Sequence, residues 1–403
     1  MKFAHMADCH IGAWRDPKLK DLPIQAFVKA LHISQEQHVD FIIIAGDLFN
    51  TALPGIDNLK TVVKSLKELK EANIPVYIIP GSHDFSPSGK TMIDVLEEAG
   101  LVVNVVKGTA HDGKLRLKFT VNTKTDVKIT GMLGKAGILE KHYYEVLDHV
   151  SLEHEQGKKI FIFHGPVREL MGMEFSAMDA YDLSFFPKGF EYYAGGHVHI
   201  VKEYSDAHYK NVVYPGPLFP ASFSELEKLG CGGFFIYDNG KIRREEINIK
   251  NVFKVDIDAD HATPEEIEAM IDDKISNKEF LNTIVLMRIA GKMKTGKTAD
   301  IKFSEIFRKI YAQGAFSVMR NTSKLISEEY EEIKIDEKTA DDVEDMIIRE
   351  HLQQIKMKGL DSDKEYRMTK ELIMAFEQEK HEGEKVYEYE DRVRKEADRL
   401  LDV

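Results

Sequence analysis

An α/β fold is predicted for this chain, and two observations predict it. Short hydrophobic runs rich in β-branched and aromatic residues alternate with helix-like amphipathic stretches through residues 1–250. Five such runs end in metal-binding side chains: Asp8-Cys9-His10, Gly46-Asp47, Gly81-Ser82-His83-Asp84, His164-Gly165 and Gly195-Gly196-His197-Val198-His199. In open α/β sheets, sites collect in the crevice beyond the carboxyl ends of the strands. Carboxylates and imidazoles delivered repeatedly to one edge therefore point to one polar, metal-filled cleft and to metal-assisted hydrolysis.

The elements follow from local pattern. Residues 2–7, 41–45, 76–80 and 160–163 read as buried strands. A helix is expected over residues 22–38, and a second over 56–72 with Leu59, Val62, Val63, Leu66 and Leu69 as its apolar stripe. Pro75 restarts a strand, residues 92–98 form a helix stopped near Gly100, and short β runs fill residues 101–132. Residues 192–199 make the last strand-to-site junction. Residues 212–216 and 232–237, with a turn at Asp238-Asn239-Gly240, read as antiparallel strands that close the domain.

From Phe253 the composition shifts. A strand at 255–257, a helix at 264–277 and a strand at 283–289 suggest a small α+β domain. Beyond Glu331 glycine is scarce and charge dense. Thr339-Ala340-Asp341-Asp342 and Ser362-Asp363-Lys364-Glu365 match the capping box that starts helices. Gly359 and Gly383 sit where helices stop, and Val386, Tyr389, Val393 and Leu400 share one face. The expected domains are 1–250, 251–328 and 329–403.

Composition bounds the function. A chain of 403 residues exceeds what one core usually fills. Hydrophobic content of 43% with 31% charge suits a soluble globular protein, and no apolar run approaches the roughly 20 residues needed to span a bilayer. No signal region precedes the first strand, and the two cysteines, Cys9 and Cys231, argue against a disulfide framework, so an intracellular, cytoplasmic location is expected. The net charge of −13 disfavours a protein whose whole surface grips nucleic acid. Lys64, Lys67 and Lys70, and Lys292, Lys294 and Lys297, read as solvated faces.

Each motif is weak alone. Asp8 and His10, two apart on an extended backbone, would point the same way; so would His197 and His199, behind two glycines that let backbone approach a ligand. Asp47 alone could merely cap a helix. A lone histidine is more often a core or surface residue, which is the reading given to His5, His32, His38, His111, His142, His149, His154, His208, His261, His351 and His381. As an ordered set, the motif residues suit hydrolysis of a phosphodiester, where two cations about 3.5–4 Å apart activate water and neutralise the phosphate. Mixed carboxylate and imidazole donors favour manganese, iron or zinc over magnesium or calcium.

The ordered set D-x-H, GD, G-[NS]-H-D, H-G and G-H-x-H resembles the calcineurin-like metallophosphoesterase superfamily over roughly residues 1–245. Within it, Gly46-Asp47-Leu48-Phe49, Gly81-Ser82-His83-Asp84 and Gly196-His197-Val198-His199, followed by Tyr214-Pro215-Gly216-Pro217, look like the archaeal DNA double-strand-break repair nucleases of the meiotic-recombination-eleven type, akin to bacterial SbcD. That resemblance implies a metallophosphoesterase β-sandwich flanked by helices, with a capping domain and a C-terminal helical segment. It implies two Mn2+ ions, with Mg2+, Fe or Zn less favoured. Asp8, His10, Asp47 and His199 would hold one ion, and Asp47, His164 and His197 the other, Asp47 bridging. Ser82 stands where the family carries an asparagine ligand, and its shorter hydroxyl is a weaker donor. His83 falls on the catalytic histidine, with Asp84 orienting it, and Asn50 replaces a histidine of some relatives. The implied partners are DNA ends, a RAD-fifty-type ABC ATPase rooted on the C-terminal helices, and a second copy of the chain held near residues 59–69 and 92–96. No membrane is implied.

Three functions compete. The first is a manganese-dependent nuclease, a 3'-5' exonuclease on double strands and an endonuclease on single strands. The second is a metallophosphoesterase for a small phosphodiester or a phosphoprotein, although Asn50-Thr51-Ala52 stands where protein phosphatases carry Asp-Arg-Gly. The third is a catalytically weak scaffold that binds DNA ends.

Overall fold

The computed structural model describes residues 1–86, 89–135, 137, 139–172, 179–327, 348, 361–378, 380–381 and 386–401. The chain opens β1 (Lys2–Met6), α1 (Leu22–Glu36), β2 (Phe41–Ala45), α2 (Ile56–Glu71), β3 (Val76–Ile79), α3 (Met92–Glu98), β4 (Val103–Asn104). A hairpin of β5 (Gly108–His111) and β6 (Lys114–Leu117) precedes β7 (Thr120–Val121), β8 (Lys128–Gly131), the short helices α4 (Lys141–Glu145) and α5 (His149–His154), and β9 (Lys159–His164). Then come β10 (Tyr192–Gly196), β11 (Val201–Tyr204), β12 (Val212–Pro215), α6 (Phe223–Leu229), β13 (Gly232–Asp238) and β14 (Lys241–Ile247).

Two six-stranded sheets result, ordered β14-β13-β1-β2-β3-β4 and β11-β12-β10-β9-β8-β7. Four neighbouring strands of each run parallel, β1 through β4 in the first and β8, β9, β10 and β12 in the second. Parallel strands covered on both faces lose the alternation of polar and apolar residues, as Phe-Ile-Ile-Ile-Ala of β2 shows by being buried throughout. Alternation survives instead in which core each residue joins. Phe3, Ala7, Phe41, Ile43 and Ala45 face Ile160, Ile162, Tyr192 and Ala194 across the gap between the sheets. Ala4, Met6, Ile42 and Ile44 point outward under Ala26, Phe27, Val62 and Leu66 of α1 and α2. Phe161, Phe163 and Tyr193 do the same on the far side of the second sheet. Phe3 fixes the middle layer, with its ring 5.0 Å from Phe41 and 4.9 Å from Tyr237.

After residue 250 follow β15 (Asn251–Asp258), α7 (Pro264–Ile275), β16 (Thr283–Met293), α8 (Phe303–Ala312) and β17 (Ser317–Ser327). The three strands form one parallel sheet. Successive residues of β16 serve opposite sides: Val285, Met287 and Ile289 pack with α7 and α8, while Ile284 and Leu286 enter the core beneath the first sheet. Arg288 also pairs with Glu227 of α6. Met1–Glu329 is therefore one compact unit, and Tyr330–Val403 is a second. In that second unit, α9 (Ser362–Phe376) and α10 (Val386–Leu400) are described. Tyr389, Val393 and Leu400 are half-buried, Ala397 is buried, and Met374 and Phe376 of α9 are exposed. Among the described residues, no helix is long and apolar enough to cross a membrane.

Several expectations need correction. Val63 is exposed, because α2 turns Val62, Ser65, Leu66 and Leu69 inward and the stripe is narrower than its sequence suggests. β12 and β13 lie in different sheets, and β12 runs parallel to β10; only the 238–240 turn makes the expected antiparallel pair, between β13 and β14. The N-cap of α9 is Asp361, whose carboxylate accepts from the Lys364 N–H, rather than Ser362. The capping box at 339–342, Gly359, Gly383 and His351 lie outside the described residues.

His5 of β1 faces the middle layer, fully buried, with Nδ1 3.0 Å from the Tyr192 hydroxyl. Burial lowers its pKa from 6.5 to about 3. Between those values the unfolded chain takes a proton that the folded one refuses, so stability falls as pH drops below 6.5. We expect the H5Q variant to flatten that decline in urea unfolding between pH 6.5 and 4.5. An unchanged slope would show that His5 does not titrate this way.

Candidate metal centre

The parallel strands deliver their carboxyl ends to one edge of the sandwich, and the two sheets meet there. His164, the last residue of β9, places Nδ1 2.9 Å from the carbonyl of Ala45, the last residue of β2. A carbonyl only accepts, so Nδ1 carries a proton, and although burial works against it the carboxylates of Asp47 and Asp8 push the ring up to about 10, leaving Nε2 as the nitrogen that faces the site. That Nε2 lies 3.1 Å from Asp47 Oδ2, without the angles of a hydrogen bond, and is a buried nitrogen with no hydrogen-bond partner among the described residues.

The other motif residues converge on the same point. Asp47 Oδ2 is 3.6 Å from His10 Nε2, and Asp47 Oδ1 accepts the His83 N–H at 2.8 Å. Ser82 Oγ lies 3.5 Å from Asp47 Oδ2. Asp8 accepts the His197 N–H with both oxygens, at 2.9 and 3.1 Å. The Nε2 atoms of His10 and His199 are 2.9 Å apart, and His199 Nε2 is 3.8 Å from Asp8 Oδ1. The His197 ring stands 5.1 Å from that of His164. Among the described residues, three sets bring their donor atoms within 4.8 Å of one another: Asp8, His10 and His199; His10, Asp47 and His83; Asp8, Asp47 and His164. Asp8, His10, Asp47 and His164 are buried, whereas His83 is exposed at the rim.

Burial sets the charges. It holds His10 down to about 3 and His197 to about 4, so both rings are neutral at physiological pH. Burial, reinforced by the charge of Asp47, lifts Asp84 to about 7. For Asp47 burial works against ionisation, but the neighbouring imidazoles and the His83 N–H outweigh it and keep the carboxylate far below its ordinary range. His10 and His197 are held neutral by burial, whereas His164 and His199 are raised by the carboxylates beside them against burial; around ionised Asp47 these imidazoles form a donor set in which divalent cations would take the place of protons.

The backbone achieves this in an unexpected way. Asp8, His10, Asp47 and His199 have φ of 49°, 39°, 52° and 55°, and His197 has 101°. The D-x-H and H-x-H pairs thus converge through left-handed turns, not through the alternation of an extended strand. Such conformations are costly outside glycine and cluster at functional sites. The glycines before His197 also differ in purpose from the expectation. A Cβ on Gly195 would lie 2.5 Å from Phe163, so its absence lets the outer core pack on its own sheet, and one on Gly196 would lie 2.2 Å from the Ala45 carbonyl, so its absence lets the two sheets approach.

Asp84 does not orient His83 as expected. Its oxygens accept from the Gly81 and Phe49 N–H groups and tie two loops together. His83 Nδ1 instead lies 3.0 Å from the Asn50 carbonyl, and its ring meets His10 edge-on at 4.8 Å. Cys9 is buried in the outer core. Two contributors escaped the sequence reading. Tyr214 accepts the Val167 N–H and donates to the Gly165 carbonyl at 2.6 Å, clamping the turn after His164. Glu225 of α6 lies 3.2 Å from His199 Nδ1, and the Ser222-x-x-Glu225 spacing was its sequence signal. A cavity of about 710 Å³ opens beside His197 and His199, lined also by Lys202, Ser222, Glu225 and Lys228.

Residues 1–201 match the calcineurin-like phosphoesterase family. The chain is 27% identical over 362 residues to the DNA double-strand break repair protein Mre11 of Archaeoglobus fulgidus, covering 83% of this chain and 76% of that one. The protein of the same name from Methanococcus maripaludis is 26% identical over 77% of this chain and 79% of its own. That of Methanocaldococcus jannaschii is 25% identical over 93% and 95%.

Gly46 tests the close approach of the sheets. It has φ +85°, and a Cβ there would lie 2.1 Å from His164 Nδ1. We expect G46A to cost about 2–4 kcal/mol by chemical denaturation. G157A, with φ +93° and nothing near its Cβ, should cost only about 1 kcal/mol. Equal losses would remove the steric argument.

Proposed function

The chain carries a calcineurin-like metallophosphoesterase domain, and from that premise we propose that it is a two-metal nuclease that processes DNA double-strand ends inside the cell. The observation that carries this reading is Asp47, whose carboxylate belongs to one donor cluster with His10 and another with His164. Asp8, His10, Asp47 and His199 would hold one cation. Asp47, His164 and His197 would hold the other, with Ser82 beside them. Divalent cations at these residues, manganese first and magnesium, iron or zinc after it, supply neutralisation of phosphate charge and acidify water at neutral pH.

The side chains do the rest. Neutral His10 and His197 present lone pairs without first losing a proton. The Ala45 carbonyl holds a His164 proton on Nδ1 and leaves Nε2 as the nitrogen that faces Asp47. The Asn50 carbonyl engages His83 Nδ1, which leaves Nε2 as the atom that would pass a proton to the leaving oxygen. Asp84 fixes the loop from which His83 projects.

The DNA assignment draws on the relatives, which are named as double-strand break repair proteins. Cleavage of double strands from 3' ends and of single strands internally is the activity proposed. Exposed Ile56 and Val63 on α2 and Val95 on α3 suit a homodimer contact. Exposed Met374 and Phe376 suit docking of a RAD-fifty-type ATPase on the C-terminal helices. A second reading, a small phosphodiester as substrate, is favoured by the cavity of about 710 Å³ beside His199, which is the size of a small-molecule site. A DNA-end scaffold with little catalysis has no such observation behind it.

With manganese, the purified chain should degrade linear duplex DNA. H83A should lose at least about 100-fold in rate while binding DNA and Mn2+ as before. Turnover confined to bis-p-nitrophenyl phosphate or cyclic nucleotides would favour the second reading, and end binding without cleavage under any divalent metal would favour the scaffold. Deleting residues 339–403 should abolish co-purification with the ATPase and spare intrinsic cleavage. Undiminished co-purification would refute that docking site.

A further inference from the structure

We propose that Glu225 is a positioning residue for His199: it accepts a hydrogen bond from His199 Nδ1 and so holds Nε2 toward Asp8 and His10. The inference rests on the reading of His199 as a metal ligand. Glu225 Oε1 lies 3.2 Å from His199 Nδ1. A carboxylate of an ionised glutamate only accepts, so this contact places a ring proton on Nδ1 and makes Nε2 the nitrogen that would ligate. Nε2 is the atom that lies 2.9 Å from His10 Nε2 and 3.8 Å from Asp8 Oδ1.

Glu225 is itself fixed before it meets the imidazole. Its Oε2 accepts the Ala221 N–H at 2.9 Å, and its Oε1 accepts from the Ser222 hydroxyl at 3.2 Å. Leu226, the next residue, is fully buried in the core under the first sheet, which pins α6 in place. Helix capping alone would account for contacts to residues 221 and 222, but not for an imidazole contributed from the other sheet's edge. The need for a tether is physical. The His199 ring borders the cavity of about 710 Å³, and among the described residues Glu225 is the group recorded against its outer nitrogen. Carboxylates in this relation to a ligating histidine typically contribute 10–100-fold in metal affinity.

The test is a Mn2+ titration of the full chain followed by electron paramagnetic resonance. Wild type should bind two ions. E225A should weaken one of them by about 10–100-fold and leave the other unchanged. E225L keeps the bulk that seats α6, lacks the acceptor, should show the same loss, and decides the matter if E225A does not fold. E225Q retains an acceptor for the Nδ1 proton and should recover most of the affinity. Wild-type affinity at both sites in E225A and E225L would overturn the inference while leaving the metal centre standing. Failure of the wild type to bind a pair of ions would overturn both.

Discussion

The contact between the ends of β2 and β9 is what the site depends on. His164 reaches across the gap between the sheets to the Ala45 carbonyl, and the same ring then faces Asp47. This approach is possible because Gly46 and Gly196 carry no Cβ where one would collide with the His164 ring and the Ala45 carbonyl. It also explains why no single motif makes the centre. Asp8 and Asp47 come from one sheet, His164, His197 and His199 from the other, and the two sets meet only when the middle layer of Phe3, Phe41, Ile160 and Tyr192 is packed.

The electrostatics follow from the same closure. Driving water from this edge strips His10 and His197 of their protons, while Asp47 keeps its charge because imidazoles and a backbone N–H surround it. The arrangement is costly: five of its residues sit on left-handed backbone, and His10 Nδ1 and His164 Nε2 are buried with no hydrogen-bond partner among the described residues. Such local strain is sustained by the surrounding fold and is characteristic of sites shaped for a ligand.

Much of this was legible in the sequence, for identifiable reasons. β2 and α3 could be read to the residue because their hydrophobic runs are bounded by clear breaks, Val39-Asp40 before Phe41 and Gly100 after α3. β14 was not read, because the charged run Arg243–Glu246 breaks any alternation and the strand lies at a sheet edge, where little apolar surface is needed. The identities of the clustered site residues were legible because aspartate and histidine recur at strand ends. Their geometry was not, since left-handed turns at Asp8 and His197 leave no mark in residue type. Glu225 was hidden for a different reason: it sits in a helix start, where a glutamate has an ordinary local explanation. Asp84 shows the converse, for adjacency to His83 in sequence suggested a contact that the backbone N–H groups of Gly81 and Phe49 claim instead.

Anomalous diffraction at the manganese edge, from crystals of the full chain grown with Mn2+, tests the central claim most directly. Two peaks about 3.5–4 Å apart, both touching Asp47 and one on each side of it, are expected. A lone peak away from Asp47, or none between the two sheet edges, would contradict a binuclear centre built by their closure.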